Sequence, residues 1–197
     1  MKWIVITSPD DVPDEATVMA RLADAGVDII HLRKPGMRIE TYESIIRRLS
    51  PALRDRTVIH EHFSLCAAYG LRGIHLNSRN RDIPPGHKGS VSCSCHSIEE
   101  TARRKTDTDY VFLSPIFDSI SKQGYTAAFG DDDLEEARRQ GIIDTKVMAL
   151  GGVTADGIPV LRRYGFGGAA FLGDIWSRAG DAAFADYLKI IKERLAD

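Results

Sequence analysis

The chain has 197 residues, of which 43% are hydrophobic and 27% are charged, and its formal net charge is −2. A chain of this length predicts one globular domain, covering residues 1–197, with a sizeable core. The near-neutral charge gives no reason to expect nucleic acid or an anionic membrane as a partner, and no apolar run approaches the length of a membrane span.

Short apolar runs alternate with amphipathic stretches along the chain. The apolar runs predict eight strands, at residues 3–7, 28–32, 57–60, 73–76, 90–94, 110–113, 146–150 and 168–172. The helical spacing of apolar residues predicts six helices, at residues 15–25, 39–53, 97–105, 134–140, 156–164 and 182–196. The turn-rich segment 77–88 is not expected to form a full helix.

This alternation predicts the α/β fold class and, within it, a single (β/α)8 TIM barrel. An open, doubly wound parallel sheet is the alternative. Such a sheet normally carries a glycine-rich phosphate turn after its first strand, whereas residues 7–10 read Thr-Ser-Pro-Asp. The barrel is therefore favoured, and its active site is expected at the carboxyl ends of the strands.

Histidines gather at the predicted strand ends. Five of the six lie at or just after such an end: His31, His60, His62, His75 and His96. Any one of them could be a hydrogen-bonded residue packed at the barrel mouth, which is the interpretation we favour for His75. Their collective placement predicts a polar site, in which Arg33 offers a planar fork suited to phosphate.

The chain beyond the seventh and eighth strands predicts a phosphate site. Gly151 and Gly152 follow the seventh strand, and Gly173 and Asp174 open the helix after the eighth. Glycine lets a phosphate approach the backbone N–H groups closely, and barrels often bind phosphate at this place. Glycine at either position could instead serve only a tight turn.

A second anion site is predicted after the sixth strand. The loop there carries Ser119, Ser121 and Lys122, which could bind an oxyanion such as diphosphate together with Arg33. A solvated polar loop is the alternative. Two anion sites across one barrel mouth suit an enzyme that joins a phosphorylated molecule to a diphosphate-bearing one.

The three cysteines are Cys66, Cys93 and Cys95. Cys93 and Cys95 lie two residues apart in a predicted strand, so they point the same way and are poorly placed to pair. We interpret all three as reduced thiols of a cytoplasmic protein, because a metal site would need a second ligand pair.

Six segments carry a further signal: His31-Leu32-Arg33, Gly73-Ile74-His75-Leu76, Ser94-Cys95-His96-Ser97, Asp109-Tyr110 with Ser114-Pro115-Ile116-Phe117, Ser119-Ile120-Ser121-Lys122, and Ala149-Leu150-Gly151-Gly152-Val153. In order and spacing they resemble motifs of the thiamine-phosphate synthases and their thiazole tautomerase relatives, the TenI group. Each motif is weakly specific alone, but the collinear set covers most of the chain.

The resemblance implies a transferase that condenses hydroxymethylpyrimidine diphosphate with a thiazole phosphate, giving thiamine phosphate and diphosphate. In that family the diphosphate departs first, and the thiazole nitrogen captures the pyrimidine cation. The implied catalytic residues are His96, Arg33 and Lys122. The implied substrate-binding residues are His31, Arg33, His60, Ser94, Ser119, Ser121, Lys122, Gly151, Gly152, Gly173 and Asp174.

The chain departs from the synthase pattern where the resemblance implies Mg2+. Glu61 and Asn80 each stand in place of an expected aspartate. Because a neutral amide binds Mg2+ less well than a carboxylate does, we expect these two residues to form a weakened site, with Mg2+ as cofactor only in a synthase. Pro35 replaces an expected lysine, and the neighbouring Lys34 is predicted to point to the other strand face.

Two alternatives remain open. A tautomerase of the TenI type would be an isomerase that shifts a proton on a thiazole carboxylate phosphate and needs no metal. His96 would be its general acid and base, and His31 replaces the synthase glutamine as it does in that branch. The other alternative is a barrel that binds a phosphorylated ligand without turnover. The exposed outer helices of a barrel are compatible with a homodimer.

Overall fold

The computed structural model describes residues 1–118 and 127–196, and these form a closed barrel of parallel strands. The strands are β1 (Lys2–Ile6), β2 (Ile29–Leu32), β3 (Thr57–Ile59), β4 (Gly73–Leu76), β5 (Ser90–Cys95), β6 (Tyr110–Leu113), β7 (Val147–Ala149) and β8 (Gly168–Phe171). Each strand pairs with the next, and β8 closes the barrel on β1. All eight predicted strands are confirmed to within one residue, and so is the (β/α)8 fold.

Helices cover the outside of the barrel. In the described ranges they are α1 (Glu15–Ala25), α2 (Ile39–Arg47), α3 (Pro51–Arg54), α4 (Ser64–Tyr69), α5 (Ile98–Arg104), α6 (Asp131–Arg139), α7 (Ile158–Arg163), α8 (Gly173–Trp176) and α9 (Phe184–Ala196). A 3-10 turn, Ala155–Gly157, precedes α7. None of these helices is both long enough and apolar enough to cross a membrane.

The structure corrects two helix predictions. The predicted helix 39–53 is two helices, because Pro51 cannot continue α2 and instead starts α3, where the Ser50 hydroxyl accepts a hydrogen bond from the N–H of Leu53. The six-residue helix α4 was not predicted, since it is too short to show a helical repeat. Segment 77–88 forms no helix, as predicted.

Two apolar layers hold the barrel together, one inside the sheet and one between the sheet and the helices. The inner layer consists of Ile4, Ile6, Ile29, Val58, Tyr110, Phe112, Met148 and Ala170. Successive side chains of a strand alternate between the layers, which places both Cys93 and Cys95 in the outer one. Both are buried free thiols, as predicted. The same alternation places His31 of β2, His75 of β4, and Ser92 and Ser94 of β5 inside the barrel.

Candidate active site

A cavity of about 730 Å3 opens at the carboxyl ends of the strands. Its wall includes eight of the residues that the sequence predicted for the site: Arg33, His60, Ser94, His96, Gly151, Gly152, Gly173 and Asp174. Ser119, Ser121 and Lys122, which carried the predicted diphosphate loop, lie outside the described residues. His31, Glu61 and Asn80 are described but do not line the cavity.

Arg33 and Lys34, the two residues after β2, point in different directions. Arg33 is half-buried and lines the cavity. Lys34 is fully buried, where its ammonium lies 2.8 Å from the Glu15 carboxylate and donates to the carbonyl of Asp10 at 2.5 Å. Burial raises the pKa of Glu15, and the Lys34 ammonium opposes that shift. Lys34 therefore belongs to the framework and does not replace the expected lysine of the site.

His31 lies beneath the cavity, which corrects its prediction as a substrate-binding residue. Its Nδ1 is 2.9 Å from Nε2 of His60, and its Nε2 is 2.7 Å from the Tyr110 hydroxyl. It is fully buried because β2 sends Ile29 and His31 into the barrel, one layer below the cavity floor. His31 therefore lies behind His60, His75 and Phe112, which do line the cavity.

His60 and His75 form the floor of the cavity, with their rings stacked 4.2 Å apart. His75 is hydrogen-bonded on both ring nitrogens, to the hydroxyls of Ser92 at 2.9 Å and Ser94 at 3.0 Å. Burial lowers the pKa of His75 to about 3 and holds the pKa values of His31 and His60 well below their usual range. All three rings are therefore neutral at physiological pH.

Sequence reasoning missed Ser92 and Tyr110 as partners of these histidines. Both are inward-facing residues of β5 and β6, so the two-residue alternation of the strands was the signal available. In the part of the chain that the structure describes, His31, His60 and His75 are the one group of three potential ligands whose donor atoms lie within 4.8 Å of one another. A set of three nitrogens suits zinc or copper rather than Mg2+.

His96 stands at the rim of the cavity, exposed, in the turn between β5 and α5. Its Nδ1 lies 3.1 Å from the carbonyl oxygen of Ser114. Because a carbonyl can only accept, Nδ1 carries the proton of the neutral ring and Nε2 is left as the basic nitrogen. The turn is fixed by the carboxylate of Glu100, which accepts from the backbone N–H of His96 at 2.9 Å, and by Ser97, which caps α5.

Glu61 and Asn80, the predicted Mg2+ ligands, have other partners in the structure. One oxygen of the Glu61 carboxylate accepts a hydrogen bond from Nε of Arg79 at 2.9 Å and lies 2.8 Å from its Nη2, and the other accepts from the Tyr42 hydroxyl at 3.2 Å. The Asn80 amide nitrogen donates to the carbonyl of His60 at 3.3 Å. A divalent cation needs free carboxylate oxygens, but a guanidinium already occupies this one. Arg33, Glu61 and Arg79 are called the guanidinium side below.

Gly151, Gly152 and Gly173, called the glycine side, line the opposite part of the cavity. Gly151 and Gly152 have φ angles of 94° and 63°, in the left-handed region that favours glycine. A Cβ on Gly152 would lie 2.2 Å from the carbonyl oxygen of Asp118. Close packing on the loop after β6 thus requires glycine at positions 151 and 152. Both residues line the cavity, so a ligand can approach their backbone.

The side chain of Asp174 is committed to packing between helices. Its carboxylate accepts from the Tyr187 hydroxyl at 2.5 Å and from Nε of Arg178 at 3.3 Å, and the residue is buried. A carboxylate would repel a phosphate, so any contact of Asp174 with one would come from its backbone N–H. The prediction that Asp174 binds phosphate is therefore limited to its backbone N–H.

Four further arginines line the cavity and were not predicted: Arg79, Arg81, Arg103 and Arg104. The signal for the first two was their position directly after a strand end, in the turn-rich segment that follows β4. With Arg33 they bring five guanidinium groups to one cavity. This concentration of positive charge suits polyanionic ligands.

Fold and site together define the class of the protein: a (β/α)8 barrel with a basic cavity at the carboxyl ends of its strands, where enzymes of this fold carry their active sites. The family model described as thiamine monophosphate synthase matches residues 3–175. The chain therefore belongs to the thiamine monophosphate synthase family, which confirms the resemblance found in the sequence.

Individual relatives agree with this assignment. A thiamine-phosphate synthase of Serratia proteamaculans is 29% identical over 194 residues, covering 92% of this chain and 90% of the relative. One from Methanoculleus marisnigri is 27% identical over 192 residues, covering 91% and 88%. A solved thiamine phosphate pyrophosphorylase of Bacteroides thetaiotaomicron is 39% identical, with a TM-score of 0.89 over 100% of this chain and 98% of that one.

Proposed function

We propose that this chain is a transferase that condenses hydroxymethylpyrimidine diphosphate with a thiazole phosphate to give thiamine phosphate and diphosphate. The observation that carries the proposal is the pairing of a side with guanidinium groups and a side with glycine backbone across one cavity. The guanidinium side suits the diphosphate, and the glycine side suits the single phosphate of the thiazole. An enzyme that joins two anionic substrates needs both.

In this reaction the C–O bond between the pyrimidine methylene and the diphosphate breaks, and its electron pair leaves with the diphosphate. The lone pair of the thiazole nitrogen then forms the new C–N bond. Arg33 and Arg79 would stabilise the negative charge that develops on the leaving group. The neutral rings of His60 and His75 add no positive charge beneath the pyrimidine cation, which a protonated histidine would repel.

A second candidate is the tautomerase, and one observation favours it. The Nδ1–H of His96 donates to the Ser114 carbonyl, which leaves a basic Nε2 at the cavity rim. A base in this tautomer could take a proton from a bound thiazole and return it at another position. The glycine side would hold the phosphate of that substrate in the same way.

Two assays test these proposals on the purified chain. The first supplies both synthase substrates with Mg2+ present and measures thiamine phosphate; the second supplies the thiazole tautomer alone and measures its isomerisation. The synthase proposal predicts steady formation of thiamine phosphate that falls in Arg33→Ala. Isomerisation without condensation, lost in His96→Gln, would replace the synthase by the tautomerase. Tight binding of thiazole phosphate with neither reaction would leave only the non-catalytic barrel.

A further inference from the structure

The Glu61 carboxylate is the point at which the guanidinium side is assembled. The Glu61 side chain is 10% exposed, and the Arg79 side chain is 52% exposed, so a buried anion holds a guanidinium that reaches into the cavity. The ion pair with Arg79, which includes one hydrogen bond from its Nε, and the hydrogen bond from Tyr42 engage both carboxylate oxygens. A buried carboxylate satisfied in this way is a fixed counter-ion.

The backbone around Arg79 is fixed as well. The Asn77 side-chain oxygen accepts from the N–H groups of Arg79 at 3.0 Å and Asn80 at 3.2 Å, while its amide nitrogen donates to the carbonyl of His60 at 2.7 Å. The turn after β4 is thereby tied to the end of β3. Arg79 is held in place by its own backbone and by Glu61, before any ligand binds.

Two like charges face each other across this corner of the cavity. Burial and then repulsion by Arg79 lower the pKa of Arg33, and Glu61 opposes the shift only in part. Arg33 and Arg79 together carry two positive charges against the single negative charge of Glu61. An anion placed between the two guanidinium groups removes this repulsion, and a diphosphate has enough oxygens to accept from both forks.

We infer that Arg79, held by Glu61, takes the place of Mg2+ as the cation that binds the diphosphate in this chain. The inference rests on the proposed function for the identity of the substrate. The carboxylate that would hold the metal instead holds a guanidinium, and the second predicted ligand is an amide turned to the backbone. A guanidinium is always charged and needs no metal to be recruited from solution.

The test is calorimetric titration of inorganic diphosphate into the purified full chain, once in EDTA and once in Mg2+. The inference predicts binding in EDTA with a Kd within about threefold of the Kd in Mg2+. Arg79→Ala is expected to weaken binding in EDTA by about tenfold or more, since it removes two charge-assisted donors. Arg79→Lys should lie between the two, because lysine keeps the charge but loses the planar fork.

Arg48→Ala is the matched control. Arg48 is also ion-paired, with Asp14 at 2.9 Å, and its side chain is 54% exposed, but it does not line the cavity. Its removal should leave diphosphate binding unchanged. Glu61→Gln tests the positioning role, because it removes the counter-ion of Arg79 and keeps the shape. Binding in EDTA should weaken in this variant, but by less than in Arg79→Ala, since the guanidinium remains in the cavity.

Diphosphate binding that requires Mg2+ in the wild-type chain would overturn the inference, and so would unchanged binding by Arg79→Ala in EDTA. Weaker binding in EDTA by Glu61→Gln than by Arg79→Ala would also overturn it, by showing that binding depends on Glu61 rather than on the guanidinium. The condensation assay is run with Mg2+ present, so a chain that forms thiamine phosphate but binds diphosphate only with Mg2+ refutes this inference alone. Metal-free binding through Arg79 without condensation refutes the reaction instead.

Discussion

The two sides of the cavity are built from different materials. The glycine side is backbone, and two of its glycines, Gly151 and Gly152, are fixed by left-handed φ angles and by contact with the loop after β6. The guanidinium side is made of side chains on three separate segments, joined by the Glu61–Arg79 ion pair. A backbone site cannot change its chemistry without changing the fold, whereas a side-chain site can exchange one cation for another.

This difference accounts for where the chain departs from its family. Three departures implied by the resemblance, at Glu61, Asn80 and Pro35, fall on or beside the guanidinium side, and a fourth, at His31, lies beneath the cavity. The glycine motif is kept, because substituting it would disturb packing as well as ligand binding. Substitutions on one side should change the binding of one ligand and leave the binding of the other unchanged.

The largest expected effect concerns the framework below the guanidinium side. Lys34→Met leaves the buried Glu15 carboxylate without its cation, at a cost of about 3 to 5 kcal/mol in the free energy of unfolding. Urea unfolding measures this loss. The double variant Lys34→Met with Glu15→Leu should recover most of it, because an apolar pair of similar size replaces the ion pair. A lone Lys34→Met that keeps wild-type stability would contradict the framework role.

The next effect tests the glycine side. Gly152→Ala places a Cβ 2.2 Å from the Asp118 carbonyl oxygen, so the loop must move away. We expect thiazole phosphate binding to weaken by about a hundredfold, with diphosphate binding changed by no more than about threefold, both measured by calorimetry.

Gly70→Ala is the control for this substitution. Gly70 has the same φ of +63°, but nothing lies within 4 Å of its Cβ position. It should therefore show the backbone strain alone, of about 1 kcal/mol, with normal ligand binding. Equal losses of thiazole phosphate affinity in both variants would show that strain, rather than the packing at Gly152, causes the effect.

Substitution of Arg33 is expected to have a smaller effect and to weaken the binding of the other ligand, diphosphate. Arg33→Ala should weaken diphosphate binding by about tenfold, because one charge-assisted fork is lost, and should leave thiazole phosphate binding nearly intact. Its neighbour Lys34 should show the reverse pattern of stability loss without a direct binding role. Equal weakening of both ligands in Arg33→Ala would mean that the two sides are not separate.

The fold was predictable because parallel strands covered on both faces are continuous apolar runs, and most of the eight strands have that pattern. Alternation along a strand also predicted that Lys34 leaves the face used by Arg33. Short elements such as α4 have no such signal, since six residues do not complete two helical turns.

The sequence indicated which strand ends carry the candidate site. It did not indicate how deeply each side chain is buried or which side chains pair with one another. Arg33 and His96 were found from position alone, but the sequence does not reveal that His31 lies one layer below the cavity. The pairing of Glu61 with Arg79 depends on the Asn77 turn, which brings together residues from the ends of two strands. Patterns along the chain do not encode contacts of this kind.

A pH-dependent effect on stability is expected from the neutral histidines beneath the cavity. The folded pKa of His75 is about 3 and the unfolded pKa is about 6.5, so between these values the unfolded chain binds a proton that the folded chain does not. Stability therefore falls as the pH falls from about 6.5, by about 1.4 kcal/mol per pH unit for each such histidine. Urea unfolding between pH 7.5 and 5 should show this slope.

His75→Gln removes one of the three titrating rings, so the slope should decrease by about a third. An unchanged slope in His75→Gln would show that the ring is not held neutral in the folded protein.

The central claim is that the cavity binds two anions at once, on opposite sides. The most direct measurement is a calorimetric titration of thiazole phosphate into the chain saturated with diphosphate. We predict one thiazole phosphate per chain, with a Kd within about threefold of that for the free chain, since the two ligands occupy different residues. Displacement of diphosphate by thiazole phosphate in simple competition would contradict the claim.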